Sequence, residues 1–595
     1  MFTNLRPLAP YLRKYRTTFY IGALCVLCNN TVWILFPMVI RDAVRDLNTH
    51  VTRQTLLKYS LYLLAIAAAK AVFQYLTRWI LIGVSREIEF DLRNDLFAHL
   101  EQLAYSYYQR TRTGDIMARM TNDLNAVRML VGPGIMYTAN TIVFTAVSLV
   151  FMLSISPKLT LFAFLPLPIF SIVVQYFGRQ IHERFERIQA MFSEISARAQ
   201  ENFSGARLIR AYVQEEAEIE LFERANEEYI SRSLKLVRLM GMLWPTLETL
   251  LGVAIVIVLF VGGREVIQHR INVGDFAAFN TNMVQLTWPI IALGWVINIF
   301  QRGTASLGRI ENILKERPEV TDADVPRSGA PTVVGGEIEF RNLSFGYGEA
   351  LKTQSNDGAH GGTIVLKNLN LRVPAGTSLA IVGPTGSGKS TLVSLVPRIY
   401  DAAPGSVLID GRSIREFPLE VLRNNIGFVP QETFLFSDTI RENIAFGAED
   451  ASDGEVRRVA EAASIASDIE SFPEGYNTLV GERGLTLSGG QKQRTAIARA
   501  LIRNPRILIL DDALSSVDTQ TEDRILNYLR EVMRGRTTIF ISHRVSTVRN
   551  ADRIAVLHDG EIVEYGTHDE LIERNGYYTE LYHKQLLEEE LEVVS

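Results

Sequence analysis

Six long apolar stretches in the first 300 residues limit what this chain can fold into more than any other feature. They run over about 17–40, 56–82, 129–153, 158–177, 242–263 and 276–300. Each is near or above the roughly 20 residues that a helix needs to cross a hydrocarbon core. Backbone amides in hydrocarbon have no water to bond, so a spanning segment satisfies them internally, as a helix. Six buried helices of a soluble core would not need runs this long and this closely spaced. Residues 1–317 therefore read as an all-α, six-helix transmembrane domain. The first stretch is too long for a cleaved leader and lacks a small-residue cleavage site.

Basic residues set the orientation. Arg6, Arg13, Lys14 and Arg16 precede the first stretch with no acid among them, which places the N-terminus in the cytoplasm. Six crossings return the chain to that side. The segments 83–128 and 178–241 then face the cytoplasm, and both are charged amphipathic helix, as in Phe185–Ile195. Folded as hairpins at about 1.5 Å per residue, they extend some 30 Å or more beyond the bilayer. The outer connections, such as 154–157, are short. Asn29, Asn30, Lys70, Gln74, Glu248, Asn280 and Gln285 are polar residues inside the spans and candidates for a solute path. Hydrogen bonding between helices is the alternative for them, and Lys70 and Arg78 can also snorkel to the interface.

At 595 residues the chain is too long for one core. Its net charge of −5, with no basic or aromatic-basic face, argues against a nucleic-acid partner. Cys25 and Cys28 are its only cysteines and both lie in the first apolar stretch, which excludes a disulfide framework and a zinc site. Residues 318–335 are punctuated by proline and glycine without apolar period and read as a linker. From 336 to 595 the pattern changes to short strands and helices of an α/β domain, beginning with the alternating Ile338–Leu343.

Within that domain, Gly383, Pro384, Thr385, Gly386, Ser387, Gly388, Lys389, Ser390 and Thr391 follow a β-prone run and open a helix, which is the context a phosphate-binding P-loop requires. Glycines let backbone N–H groups converge on phosphate oxygens, and the helix N-terminus adds partial positive charge. Lys389 would reach the β- and γ-phosphates and Ser390 would ligate Mg2+. The buried-strand run Arg506–Leu510 ends in Asp511, placed to hold that Mg2+, and Asp512, placed as general base for an attacking water. Leu487, Ser488, Gly489, Gly490 and Gln491 open a second helix, and with it a second phosphate-binding surface. Tyr347 sits in a turn where its ring could stack on adenine. The stretch Glu349–Gly362 after it is a long polar loop.

Together with Gln431 in Val-Pro-Gln-Glu and His543 in Ile-Ser-His-Arg, these motifs closely resemble an ATP-binding cassette (ABC) transporter. Six spans with long inward arms before a single cassette resemble an exporter-type half-transporter of the multidrug and lipid exporter kind, over essentially the whole chain. The resemblance implies an ATPase, with ATP and Mg2+, that exports a drug, lipid or peptide from a dimer in the cytoplasmic membrane. An ATP-gated channel, or an importer on the same fold, is the alternative. It implies further that Tyr347 stacks on adenine, Gln431 contacts Mg2+ and the lytic water, and His543 senses the γ-phosphate. Asp518 would lie at the dimer seam, and Val480–Gly484 would signal to the membrane domain. Thr113–Arg119 and Ala206–Tyr212 resemble the short helices that dock on cassettes. The chain departs from the family in the longer loop after Tyr347, and in Asp512, where Glu is usual. A weakened Asp512 beside an intact Leu487–Gln491 points to a heterodimer, rather than a homodimer, with a second half-transporter that carries Glu.

Overall fold

The computed structural model describes residues 2–49, 52–326, 329–347, 364–448, 450–481, 487–513, 533–542 and 545–594. It divides into two compact units, Met1–Phe97 with Met117–Leu314, and Ala98–Ile116 with Lys315–Ser595.

The first unit contains the apolar stretches. Among the described residues, six helices are long and apolar enough to cross a membrane: Arg16–Asp46, Arg53–Gln102, Thr113–Ile155, Pro157–Ser204, Glu215–Ile267 and Val273–Lys315. The fifth has 53 residues, about 80 Å at 1.5 Å per residue. A hydrocarbon core takes up only about 30 Å of such a helix, so the spans run on without a break into the polar arms. The second arm turns at its tip through the short helix Ala206–Ala211 and Val213, whose φ of 53 is left-handed. Glycines permit close helix contacts where the spans cross. A Cβ on Gly274 would lie 2.3 Å from the Arg41 carbonyl oxygen, and one on Gly262 would lie 2.5 Å from the Phe276 ring. Around that crossing Met152, Leu159, Val258 and Phe279 are fully buried.

A polar clip holds the third and sixth helices together beyond the spans. Arg309 donates to Asp123 from Nε (2.8 Å) and Nη2 (2.5 Å), and Ser306 Oγ donates to the same carboxylate at 2.9 Å. Asp123 is buried, and burial pushes its carboxyl up. The hydrogen bonds from Arg309 and Ser306 outweigh that and hold it below the ordinary carboxylate range.

In the second unit a four-stranded antiparallel sheet has the order β2-β1-β4-β5, with β1 Ile338–Gly346, β2 Ile364–Val373, β4 Val407–Ile409 and β5 Arg412–Ser413. A six-stranded sheet has the order β10-β9-β3-β8-β7-β6. Its strands β3 Ser378–Val382, β6 Ile426–Val429, β7 Ile507–Asp511, β8 Thr537–Ile541 and β9 Arg553–His558 are parallel, and β10 Glu561–Gly566 closes one edge antiparallel. The parallel strands are near-continuous runs of Ile, Leu and Val because both faces are covered. Their carboxyl ends point to one edge, where ligands of open α/β sheets bind.

The end of the first arm is built into this unit. The helix Tyr105–Arg110 is tied to the start of the linker by Ser106 Oγ to Glu319 (2.5 Å) and Arg110 to Glu316 (3.2 Å). The Tyr105 ring stands edge-on to Tyr400 at 6.1 Å.

Asp123→Asn should lower the thermal midpoint of the purified protein, since it leaves Arg309 facing a neutral amide at a cost of about 1–3 kcal/mol. The Asp123→Asn, Arg309→Met pair should recover part of the loss. Because the folded carboxyl titrates below its unfolded value, the clip's stabilisation is present above the ordinary carboxylate range and is lost as pH falls through the folded value. Differential scanning fluorimetry of the unaltered protein and the two variants against pH measures both effects.

Candidate functional site

The loop after β3 owes its shape to three glycines in left-handed or extreme conformations, Gly383, Gly386 and Gly388, with φ of 151, 85 and 100. At Gly383 a Cβ would lie 2.0 Å from the Leu557 carbonyl oxygen on neighbouring β9, so a side chain is excluded by space as well as by conformation. The helix Lys389–Ser394 follows at once. Lys389 folds back over the loop, and its Nζ donates to the carbonyl oxygens of Gly383 (2.8 Å) and Pro384 (2.9 Å). Its burial pushes the ammonium pKa down, while the charges of Asp511 and Asp512 pull the other way. A buried cation held by neutral carbonyls is positioned for an anionic ligand.

Three further strand ends converge on this loop. Ser390 Oγ donates to Asp511 Oδ1 at 3.0 Å, joining the P-loop helix to the end of β7. Asp512 follows with a φ of 49, and its N–H donates to the Ile541 carbonyl at the end of β8 (3.1 Å). Gln431 comes one proline after β6. Together they bound a cleft of about 320 Å³ lined by Thr385, Gly386, Gly388, Lys389, Ser390, Thr391, Gln431, Asp511 and Asp512. Gly383, Pro384 and Ser387 build the loop beneath it, and Ser387 Oγ is buried without a hydrogen-bond partner. Val365 and Ile541 also line the cleft. Neither side chain carries a chemical signal, and only the sheet order places them there.

Tyr347 reaches the same loop from β1. Its hydroxyl shares a 2.8 Å hydrogen bond with Thr391 Oγ1, and its ring stands edge-on to Phe345 (5.4 Å) and Tyr400 (5.2 Å). Burial pushes Tyr400 up to about 12, so it stays neutral.

Ser488, Gly489, Gly490 and Gln491 are not among the residues lining this cleft. They begin the helix Gly489–Leu501, where Ser488 and Gln491 form a reciprocal capping box. Arg494 and Gln491 anchor that turn to Asp468 at 2.7 and 3.4 Å. His543, Asp518 and Glu482–Gly484 lie outside the described residues, as does the loop after Tyr347.

The fold and site define a class: a P-loop nucleotide hydrolase joined to a bundle of six membrane-spanning helices. Residues 19–290 match the ABC transporter transmembrane region and residues 366–515 match the ABC transporter family. The chain is 37% identical to the probable multidrug resistance ABC transporter ATP-binding/permease protein YheI of Bacillus subtilis (strain 168), over 99% of this chain and 98% of that one. It is 35% identical to an ATP-dependent lipid A-core flippase of Syntrophus aciditrophicus (strain SB), over 99% and 95%. A solved structure of a bacterial Atm1-family ABC exporter with ATP bound superposes with a TM-score of 0.77 at 31% identity, covering 96% of this chain and 98% of that one. This chain belongs to the ABC transporter family. It is a multi-pass membrane protein that binds ATP and couples its hydrolysis to export.

Lys389→Ala should weaken binding of a fluorescent ATP analogue to the full-length protein by about tenfold or more, the cost of losing a charge-assisted contact. Hydrolysis should fall to background. Unchanged binding and turnover would show that the nucleotide is held elsewhere.

Proposed function

We propose that this chain exports an amphipathic solute from the cytoplasm as one half of a heterodimer, in which its own P-loop forms the slower of two ATP sites. The observation that carries this reading is that the Leu487–Gln491 turn does not line the nucleotide cleft of its own chain. That cleft contains the P-loop, Gln431, Asp511 and Asp512, while Leu487–Gln491 is folded elsewhere. A second copy or a relative would cap the cleft with its own signature and use this chain's signature in turn. The tip of the second arm supports pairing as well. Phe203, Leu208, Tyr212 and Val213 are 63% to 82% exposed there, an apolar surface with nothing of its own unit over it.

The residues fit Mg2+. Ser390 Oγ, Asp511 Oδ1 and the Gln431 amide are hard oxygen donors around one cleft. Among the described residues there is no group of three or more His, Cys, Asp or Glu that could hold a metal by itself. The ion would therefore share its coordination with phosphate oxygens, neutralising their charge when bound. Lys389 and the loop amides hold the phosphates, Tyr347 offers its ring to the base, and Asp512 accepts a proton from the attacking water. A γ-phosphate sensor at His543 belongs to the same reading.

The slow site follows from Asp512. Its carboxylate is one methylene short of Glu, about 1–1.5 Å further from the water, and a displacement of about 1 Å can cost about 100-fold. Backbone adjustment would have to break the Asp512 N–H bond to Ile541, which ties it to the sheet. The names of the relatives, multidrug resistance proteins and lipid A-core flippases, support a hydrophobic or amphipathic cargo. The basic N-terminal segment supports a cytoplasmic N-terminus and cassette in the inner membrane.

Purified alone, the chain should hydrolyse ATP slowly, with little change in Asp512→Asn, and a co-expressed half-transporter with Glu at the equivalent position should raise the rate about 100-fold. Substrate-stimulated turnover by the chain alone, lost in Asp512→Asn, would refute the slow-site reading. ATP-driven accumulation of a solute in inverted vesicles tests export itself, since a channel cannot build a gradient.

Cysteines placed by Asp115→Cys and Tyr212→Cys should both cross-link to cassette surface positions, with yields that change on adding ATP. Absence of any cassette cross-link at either arm would remove the arms from the coupling path.

A further inference from the structure

We infer that the membrane bundle holds a binding site selective for an amphiphile with an anionic head group, in which Lys70 is the counter-ion. The site is a cavity of about 410 Å³ between the first, second, third and sixth spanning helices, within the size range of small-molecule sites. Asn29, Asn30, Lys70, Gln74 and Gln285, five of the polar residues that the apolar spans carry, converge on it, while Glu248 and Asn280 do not line it. Lys70 and Asn29 lie near the centres of the 56–82 and 17–40 stretches, so the site is close to mid-membrane.

Charge decides the ligand class. Lys70 and Arg78 line the cavity two helical turns apart, and among the described residues no carboxylate does. Neither forms an ion pair with a described residue. Lys70 does not extend away toward the membrane surface. Its Nζ lies 3.3 Å from the centroid of the Trp33 ring, a cation–π contact that keeps the ammonium at the cavity wall. An uncompensated ammonium at this depth is costly, and a bound anion removes that cost. The polar shell is incomplete as well: Thr77 Oγ1, a hydroxyl that can donate to an anion, is buried with no hydrogen-bond partner. Phe144, Tyr137 and Trp288 supply apolar wall for a hydrocarbon body. A phosphate, sulfate or carboxylate on an apolar chain fits both halves.

Only the identification of this ligand as cargo rests on the export reading; binding needs no nucleotide. The full-length chain in phosphatidylcholine nanodiscs, without ATP, is titrated with dodecyl phosphate, dodecyl maltoside, dodecyltrimethylammonium and inorganic phosphate, followed calorimetrically. Dodecyl phosphate should bind at least about tenfold tighter than the other three. Lys70→Met should abolish that preference and Lys70→Arg should retain it. Equal affinities in the unaltered protein would overturn the inference even if the Met variant does not fold. So would a preference that survives Lys70→Met, a uniform loss for every probe, or inorganic phosphate binding as tightly as dodecyl phosphate. Phosphatidylglycerol added to the discs competes if the anionic amphiphile is a bilayer lipid and does not if it is a solute; both support an anion site. Binding without vesicle transport would leave the site standing and count against export alone.

Discussion

A polypeptide in hydrocarbon has to bond its amides to itself, and that constraint reaches well beyond the membrane here. It makes each crossing helical, with turns only at 165–166 in the fourth and at Leu286 in the sixth. Once formed, the helices need not stop at the lipid surface. The fifth runs for 53 residues through apolar span and charged arm alike. The arms are therefore the spans themselves, carried past the apolar stretches with the stiffness of a helix. A rotation imposed on the tip of such a rod is felt at its membrane end. The buried Asp123–Arg309 clip sits beyond the spans, where a charged pair is affordable and two rods can be locked together.

The cassette meets a different constraint. A triphosphate carries several negative charges, and a protein that binds it needs donors that converge without side chains in the way. Glycines answer this where the backbone must turn back against β9, as at Gly383. The parallel sheet answers it again by sending four strand ends to one edge, so that Lys389, Gln431, Asp511 and Asp512 meet although they lie far apart in sequence.

What could be read from the sequence follows from these two constraints. Span length and P-loop spacing are local properties, and the spans, the loop and the Asp511 strand were all legible. Gln431 became visible only through family resemblance, because a lone Gln after a strand carries no signal of its own. Val365 and Ile541 were not legible, since their place in the cleft depends on sheet order. Among the polar residues of the spans, sequence gave membership but not direction. Which face a helix turns inward is set by packing, as at Gly274 against Arg41. That rotation brings Gln285 to the cavity wall and leaves Asn280 off it.

The aromatic contacts around Tyr400 join the two halves of the problem, and sequence spacing could not have shown them. Tyr105, on the arm, stands edge-on to Tyr400, which stands edge-on to Tyr347, whose hydroxyl is bonded to Thr391 of the P-loop. Edge-to-face pairs contribute about 0.5–1.5 kcal/mol each beyond their buried area. The arm and the nucleotide loop therefore cannot move apart without giving up a comparable free energy. Such coupling is reciprocal: whatever shifts Tyr347 shifts the arm's seat, and whatever moves the arm acts back on Tyr347 with the same free energy. With Asp512 tied to β8 and Tyr347 tied to the arm, the two residues are held by separate contacts. A change at Asp512 therefore leaves the contacts that run from the arm to the P-loop intact.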